Sequence, residues 1–168
     1  MTLTERRLVL VDANVLINLA QADRLDLLGA FPDLESWSPR EALSEVTSEP
    51  QKSRVAESLK RGDLREMLLT EIEDLAVFVD LRRIMGMGEA ACLALAVRRG
   101  ALVASDEKRA FRREAEARLG PGRILNTPGL LLLGIRRGIL TVDEADEIKQ
   151  MLERLRFRMR FESFRELI

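Results

Sequence analysis

LVLVDANVLI, at residues 8–17, is the stretch of sequence that decides the fold. An apolar run ends at an acid, Asp12, and apolar residues dominate again after Asn14. A continuous apolar run is typical of a strand buried on both faces of a parallel sheet. In open α/β sheets, ligands bind outside the carboxyl ends of the strands. The stretch therefore predicts a first strand at 8–11 that places Asp12 at the edge of a ligand site.

The rest of the chain alternates short apolar runs with segments of helical periodicity. This alternation favours an α/β fold with a central parallel sheet and helices on both faces. We expect one domain over residues 1–140 and a C-terminal helical extension, 141–168, packed on it. Residues 64–69 fit either a strand or a helix. The predicted strands are 8–11, 34–38, 101–104 and 123–125, and the predicted helices are 14–30, 40–48, 53–60, 71–85, 89–99, 108–119, 127–137 and 141–155.

Three of these helices carry sequence signals for their first residues. Thr70 and Thr141 are each followed three residues later by a glutamate, which is the pattern of a capping box. Thr127 precedes a proline and is predicted as an N-cap.

The composition excludes several classes of function. The chain contains no histidine, which rules out Ser-His-Asp and Cys-His catalysis and histidine-ligated zinc. Its one cysteine, Cys92, lies in an Ala- and Leu-rich helix and is expected to be a buried thiol. No apolar run reaches the ~18–20 residues of a membrane span. The N-terminus lacks the pattern of a signal peptide, so we expect a cytoplasmic protein.

Three later acids occupy junctions that resemble the position of Asp12. Asp106 follows the predicted strand 101–104, Glu89 opens a helix after Gly-Met-Gly, and Glu45 lies on the helix after the second strand. Carboxylate oxygens suit Mg²⁺ or Mn²⁺ better than softer metals. Four carboxylates suffice for one or two such ions, since Mg²⁺ keeps several waters. The sequence therefore predicts a hard-metal site.

Each acid also has a purely structural interpretation. Asp12 alone fits a helix cap, and Glu89 fits an acid that complements a helix dipole. The buried character of its helix makes a glutamate at position 89 costly if it has no function. The role of second acid would equally fit Glu41 or Glu49, which are spaced with Glu45 along the same predicted helix face.

Neighbouring polar residues are candidates for supporting roles. Asn14 is either a hydrogen-bonding partner of the first acid or a turn residue. Thr127 is either a plain cap or a hydroxyl that approaches a phosphate. Glu107 follows Asp106 directly and would be able to share its role, and Ser105 would be able to cap the next helix.

The near-zero net charge conceals an asymmetry between the two parts of the chain. Residues 98–168 carry 16 Lys and Arg against 11 Asp and Glu, whereas residues 1–97 carry 11 against 17. A basic half would suit a polyanion while the acidic half holds metal. Solvated helix faces are the alternative explanation.

In the C-terminal extension, or tail, arginines alternate with Leu155, Phe157, Met159 and Phe161, which suggests an extended piece before a last short helix. These apolar residues either cover the core together with Phe164 or form a surface for self-association or antitoxin binding.

Four segments, in the expected order, resemble those of PIN-domain ribonucleases. Residues 8–17 resemble the family's opening strand and acid, and 86–96 resemble the glycine–glutamate helix start of one of its subgroups. Residues 102–110 are similar to its third acidic segment, and 126–138 resemble its closing threonine-led helix. The likeness covers roughly residues 8–140.

The resemblance implies a three-layer α/β/α domain. It also implies an Mg²⁺- or Mn²⁺-dependent endoribonuclease that hydrolyses RNA phosphodiester bonds with a metal-activated water. The acids at Asp12, Glu45, Glu89 and Asp106 would be catalytic and metal-binding, with Asn14 and Thr127 in support. Small chains of this family are commonly VapC-type toxins neutralised by a cognate antitoxin, and homodimers are expected.

Two other functions compete with this hypothesis. The first is a catalytically inactive PIN-like module that binds nucleic acid or acts as a scaffold. The second is a phosphoacceptor domain of the receiver type, which also carries strand-end aspartates. Receivers need an adjacent acidic pair after the first strand, and the sequence offers only Asp12 there.

Overall fold

The computed structural model describes residues 5–168, which form an α/β domain around a five-stranded parallel sheet. The strand order is β3-β2-β1-β4-β5, so β1 lies in the centre, paired with β2 on one side and β4 on the other. The chain adds β2 and β3 on one side of β1 and then β4 and β5 on the other, so the direction of strand addition reverses between β1 and β4. Such a switch point opens a crevice at the carboxyl ends of the two strands. The strands are β1 (Arg7–Val11), β2 (Leu34–Pro39), β3 (Arg65–Met67), β4 (Leu102–Ala104) and β5 (Ile124–Leu125).

Helices cover both faces of this sheet, as the alternation predicted. Val9 and Val11 belong to one apolar cluster, whereas Leu10 between them belongs to a second cluster on the opposite face. This is the two-residue alternation of a strand buried on both sides. The helices are α1 (Ala13–Gln21), α2 (Leu27–Ala30), α3 (Arg40–Leu43), α4 (Glu49–Arg61), α5 (Ile72–Leu81), α6 (Met87–Arg99), α7 (Ala110–Leu119), α8 (Thr127–Arg136) and α9 (Val142–Arg154), and a 3-10 helix, Phe164–Leu167, follows.

The predicted helix α6 is the most deeply buried of these elements. Every residue from Ala90 to Ala96 is buried, including the thiol of Cys92. The helix ends where Gly100 adopts a left-handed conformation with a φ of 57°, which closes the last turn without a Cβ clash. None of the helices formed by residues 5–168 combines the length and apolar character that crossing a bilayer requires.

Several predicted helices are shorter in the structure, including the one expected over 71–85, which ends at Leu81. The helix expected over 14–30 ends at Gln21, and a separate short helix, α2, follows the left-handed residue Asp23. The helix expected over 40–48 ends at Leu43, so its predicted face of three glutamates does not exist. Ala42 packs in one core cluster and Val46 in the other. The two clusters lie on opposite faces of the sheet, so the chain turns between these residues.

The predicted helix starts also differ in part. The capping box at Thr141 is confirmed, since its hydroxyl accepts a hydrogen bond from the Glu144 N–H at 3.1 Å while the Glu144 carboxylate accepts from the Thr141 N–H at 2.8 Å. The box predicted at Thr70 is wrong: the helix begins one residue later, with Glu71 as an N-cap that makes no side-chain bond. The N-cap predicted at Thr127 is also wrong, because Asn126 occupies that position.

Residues 141–168 share the core of the domain. Ile148 and Leu152 of α9 belong to the same apolar cluster as Val9 of β1, and so does Phe164 of the 3-10 helix. The carboxylate of Asp146 holds the end of the chain by accepting hydrogen bonds from the Ser163 hydroxyl at 2.6 Å and the Phe164 N–H at 2.9 Å.

Candidate active site at the β1–β4 switch point

Asp12 stands directly after β1 and is almost completely buried, with 2% of its surface exposed. One carboxylate oxygen accepts the Ala13 N–H at 2.8 Å, so the residue does cap α1, and the other accepts the Ser105 hydroxyl at 3.1 Å. Burial raises the pKa of Asp12 to about 6, and the negative charges of Glu45 and Glu107 add to this increase while the two hydrogen bonds oppose it. Because ionising this carboxyl costs free energy, capping α1 does not by itself explain an aspartate at this position.

Asp106 lies two residues beyond β4, on the other side of the switch point. Its carboxylate accepts the Thr127 N–H at 2.7 Å, the Thr127 hydroxyl and the amide of Asn18 at 3.0 Å. Burial raises the pKa of Asp106, and these hydrogen bonds act in the opposite direction. The fully buried Thr127 hydroxyl is thus directed at Asp106, which explains why Asn126 rather than Thr127 caps α8.

Asn18 is a site residue that the sequence analysis missed. Its buried amide donates to Asp106 and, at 3.3 Å, to the hydroxyl of Thr127. A signal was present, since Asn14 and Asn18 are four residues apart in α1 and therefore share a helix face. A second amide in an otherwise apolar helix indicates a polar neighbour inside the fold.

Glu89 occupies the third position of α6, in its first turn, and the backbone N–H of Gly86 acts to lower the pKa of its carboxyl. This is the geometry of a helix-start glutamate, so the structural interpretation of this residue is partly realised. Nevertheless, burial raises the pKa of Glu89 to about 7, and the charges of Glu107, Asp12 and Glu45 add to the increase.

Glu45 lies in the turn after α3 rather than on a helix, and it reaches the site from there. Its carboxylate accepts the Gly88 N–H at 2.8 Å. A Cβ at position 88 would lie 2.9 Å from both carboxylate oxygens, so only glycine lets Glu45 approach without displacement. Of the three glutamates considered for this role, Glu45 contributes its charge to the raised pKa values of Asp12 and Glu89.

Asn14 connects the two sides of the switch point. Its carbonyl oxygen accepts the Asp106 N–H at 3.2 Å, and its amide donates to the Glu107 carboxylate at 3.2 Å. The Glu107 N–H in turn donates to the hydroxyl of Ser105, which itself donates to Asp12. A continuous hydrogen-bond network therefore fixes the loop that carries Asp106 and Glu107 relative to β1.

The five carboxylates at this edge lack cationic partners. Within residues 5–168, no ion pair involves Asp12, Glu45, Glu89, Asp106 or Glu107. In the same part of the chain, no three His, Cys, Asp or Glu side chains are arranged as a ready metal site. Several of the carboxylates instead face their own hydrogen-bond donors. Oxygen donors of this kind, which repel one another, are chemically suited to a divalent hard cation.

A family model of the PIN domain matches residues 8–168. The chain belongs to the PIN-domain family. Proteins of this family are generally nucleases that depend on divalent metals. The match includes residues 141–168, so the C-terminal extension lies within the family's sequence pattern. No curated protein matches the chain.

Proposed function

We propose that this PIN domain is an Mg²⁺- or Mn²⁺-dependent endoribonuclease that hydrolyses phosphodiester bonds in RNA. The observation that carries the proposal is that acids from four separate segments lie at the β1–β4 switch point, where burial and their charges raise the pKa values of Asp12 and Glu89 and where, within residues 5–168, none of them has a cationic partner. Two of them, Asp12 and Glu89, have pKa values raised to about 6 and about 7. A cluster that disfavours its own ionisation is typical of a functional site rather than of a solvated surface.

Each site residue has a role in this proposal. Asp12, Glu45, Glu89 and Asp106 would hold the ion or ions. A bound divalent ion would supply an activated water near neutral pH and stabilise charge on the phosphate. Thr127 and Asn18 orient Asp106 by hydrogen bonding. Ser105 does the same for Asp12, and Asn14 fixes the loop between the two sides.

The biological role that we propose is that of a VapC-type toxin acting on cytoplasmic RNA. The support is the resemblance of the four segments to PIN-domain ribonucleases, a family in which VapC-type toxins are common. A cognate antitoxin and a homodimer would be the protein partners. A small open reading frame directly upstream, whose co-expression relieves growth arrest by this chain, is the expected finding. Growth that is unaffected by expression of the chain alone would contradict the toxin role.

RNA cleavage provides the direct test of the enzymatic proposal. Single-stranded and structured RNA are incubated with the full chain in Mg²⁺, in Mn²⁺ and in EDTA. We expect cleavage only with a divalent ion, and a decrease of at least ~100-fold in Glu89→Gln and Asp106→Asn. Glu147→Gln, which neutralises an exposed acid on α9, is the matched control and should cleave normally. Cleavage that persists both in EDTA and in the two site variants would disprove the metal mechanism.

A nucleic-acid-binding module without activity is the second candidate. The observation in its favour is that, among residues 5–168, no three carboxylates are arranged around a common point ready for an ion. This alternative predicts that the chain binds RNA and leaves it intact with every ion tested.

Gly88→Ala tests whether RNA cleavage depends on the position of the Glu45 carboxylate, with little change in the stability of the fold. The new Cβ would displace the Glu45 carboxylate, and we expect RNA cleavage to decrease by about tenfold or more. The better helix propensity of alanine, worth roughly 0.5–1 kcal/mol inside a helix, opposes the loss of the hydrogen bond from the Gly88 N–H to Glu45, so the Tm should change little. Met87→Ala, one residue earlier on the exposed side of α6, is the control. Normal cleavage by Gly88→Ala would show that Glu45 does not act from its present position.

A further inference from the structure

A pocket of about 290 Å³ opens beside Asp106, and the C-terminal tail forms one of its walls. Lys108 and Asn126 line it from the loops that follow β4 and β5. Phe157, Arg158 and Phe161 line it from the segment between α9 and the 3-10 helix. Ligand pockets in proteins begin at roughly 300 Å³, so this pocket suits one small unit rather than an extended chain.

The wall formed by residues 157–161 of the tail is held in place by contacts with α9 and with the 3-10 helix. The Met159 N–H donates to Glu153 of α9 at 3.4 Å, and the Met159 side chain is buried. The Phe161 ring packs edge-on against Phe164, with centroids 4.9 Å apart. Because the wall is fixed at Met159 and at Phe164, the residues between them have a defined position before any ligand binds.

Besides Asp106 and Asn126, the polar lining of this pocket consists of three cationic side chains. Lys108, Arg158 and Arg160 are all exposed, and none of them forms an ion pair with any residue between 5 and 168. Guanidinium groups bind phosphate oxygens in a bidentate manner. The apolar lining consists of the two half-buried aromatic rings, Pro128 and Met159. Aromatic rings beside free cations are the combination that binds single-stranded nucleic acid.

A second, smaller pocket continues this one toward the acids. It has a volume of about 140 Å³ and shares Asp106, Lys108 and Asn126 with the first. The rest of its lining consists of Ser105, Glu107, Arg112, Ile124 and Gly129. The two pockets thus meet at Asp106 and form one path from the tail to the switch point.

We propose that the tail pocket binds one unpaired nucleotide of the RNA, adjacent to the phosphate that is cleaved. The base packs against Phe157 and Phe161, and its phosphate is bound by Arg158 and Lys108. Arg160 contacts the neighbouring phosphate. This inference rests on the proposed nuclease function and assigns to residues 157–161 the selection of single-stranded substrate.

Binding is measured without cleavage, so that the two proposals can fail separately. The probe is a fluorescein-labelled oligouridylate of eight nucleotides, and fluorescence anisotropy is recorded in EDTA with full-length Asp12→Asn. On this background, Phe157→Leu should raise the Kd at least about fivefold, because stacking on an aromatic ring is lost while the apolar volume is retained. Arg158→Ala combined with Arg160→Ala should reduce the slope of log affinity against log salt by about 0.7–1.4, since each single-stranded phosphate contributes about 0.7 and Lys108 still contacts one of the two.

Two further probes and one control define the result. Arg154→Ala removes one positive charge from the end of α9, outside the pocket, and should leave both the Kd and the slope almost unchanged. An abasic probe should lose the effect of Phe157→Leu but keep that of the arginines, and a blunt duplex RNA should bind weakly to all proteins. Equal effects of Arg154→Ala and the pocket arginines, or no binding of the oligonucleotide, would overturn the inference. If the tail variants alter binding while the wild-type chain cleaves no RNA, the nucleotide-binding pocket is supported and the nuclease proposal is contradicted.

Discussion

Asp12→Asn is expected to unfold at a higher temperature than the wild-type chain at pH 7.5 in EDTA, although it should cleave no RNA. The ionised Asp12 carboxylate is 2% exposed and lies near the charges of Glu45 and Glu107. Its pKa rises from 3.8 to about 6 on folding. One pKa unit corresponds to 1.36 kcal/mol, so ionised Asp12 lowers the free energy of unfolding by about 2–3 kcal/mol. For a domain of this size, removing that penalty raises the Tm by roughly 5–10 °C.

The pH dependence of this difference follows from the direction of the shift. Below about pH 4 the carboxyl is protonated in both the folded and unfolded chain, so it costs nothing. Between about pH 4 and 6 the unfolded chain ionises first, and the wild type loses stability as the pH rises. Above about pH 6 the full penalty is present. Asparagine caps a helix as well as aspartate does, so the bond to Ala13 need not be lost.

Urea unfolding at pH 4 and pH 7.5, each with and without Mn²⁺, measures this prediction. The advantage of Asp12→Asn should be small at pH 4 and large at pH 7.5. Manganese should stabilise the wild type more than the variant, because a ligand that binds only the folded state adds about 2.7 kcal/mol at 100 times its Kd. Glu147→Gln is again the control and should follow the wild type. An Asp12→Asn chain that is less stable than the wild type at pH 7.5 in EDTA would show that Asp12 serves mainly to cap α1.

Local sequence alone was sufficient to predict the strands and helices that are buried along most of their length. The strand at 8–11 and the helix α6 were predicted because each is apolar on all sides and each ends at a clear signal, Asp12 and Gly100 respectively. The end of α3 was not predictable in this way. Ala42 and Val46 have ordinary helical spacing, and only the packing of the two residues against opposite faces of the sheet requires the turn that carries Glu45.

The supporting polar residues depend on contacts between distant parts of the chain. Asn18 meets Asp106 across 88 residues and Thr127 across 109. A helix-start signal such as Thr127-Pro128 gives no indication that the hydroxyl will be used by an acid from another segment. The same holds for the raised pKa of Glu89, whose first cause is burial and whose second is the charge of Glu107. Such effects follow from the packed fold rather than from any local pattern.

Phe164→Ala is expected to lower the free energy of unfolding by about 3–5 kcal/mol, the usual cost of removing a buried aromatic side chain. Phe164 is completely buried, it packs edge-on with Phe161, and its N–H is held by Asp146. Its core cluster includes Val9 of the central strand, so the cavity would open within the main domain and not at a detachable end. Native domains are stable by only about 5–15 kcal/mol, so this one change should remove a large part of the total.

Leu167→Ala provides the matched comparison, because Leu167 lies on the same 3-10 helix with 38% of its surface exposed. Urea unfolding should give a change of less than about 0.5 kcal/mol for this control. If Phe164→Ala were as stable as Leu167→Ala, residues 141–168 would be an independent appendage. If the large loss is observed, the tail belongs to the fold. The oligouridylate Kd of Phe164→Ala at low temperature, where the chain is still folded, should then rise as well, because Phe161 loses the ring that fixes it in the wall of the nucleotide pocket.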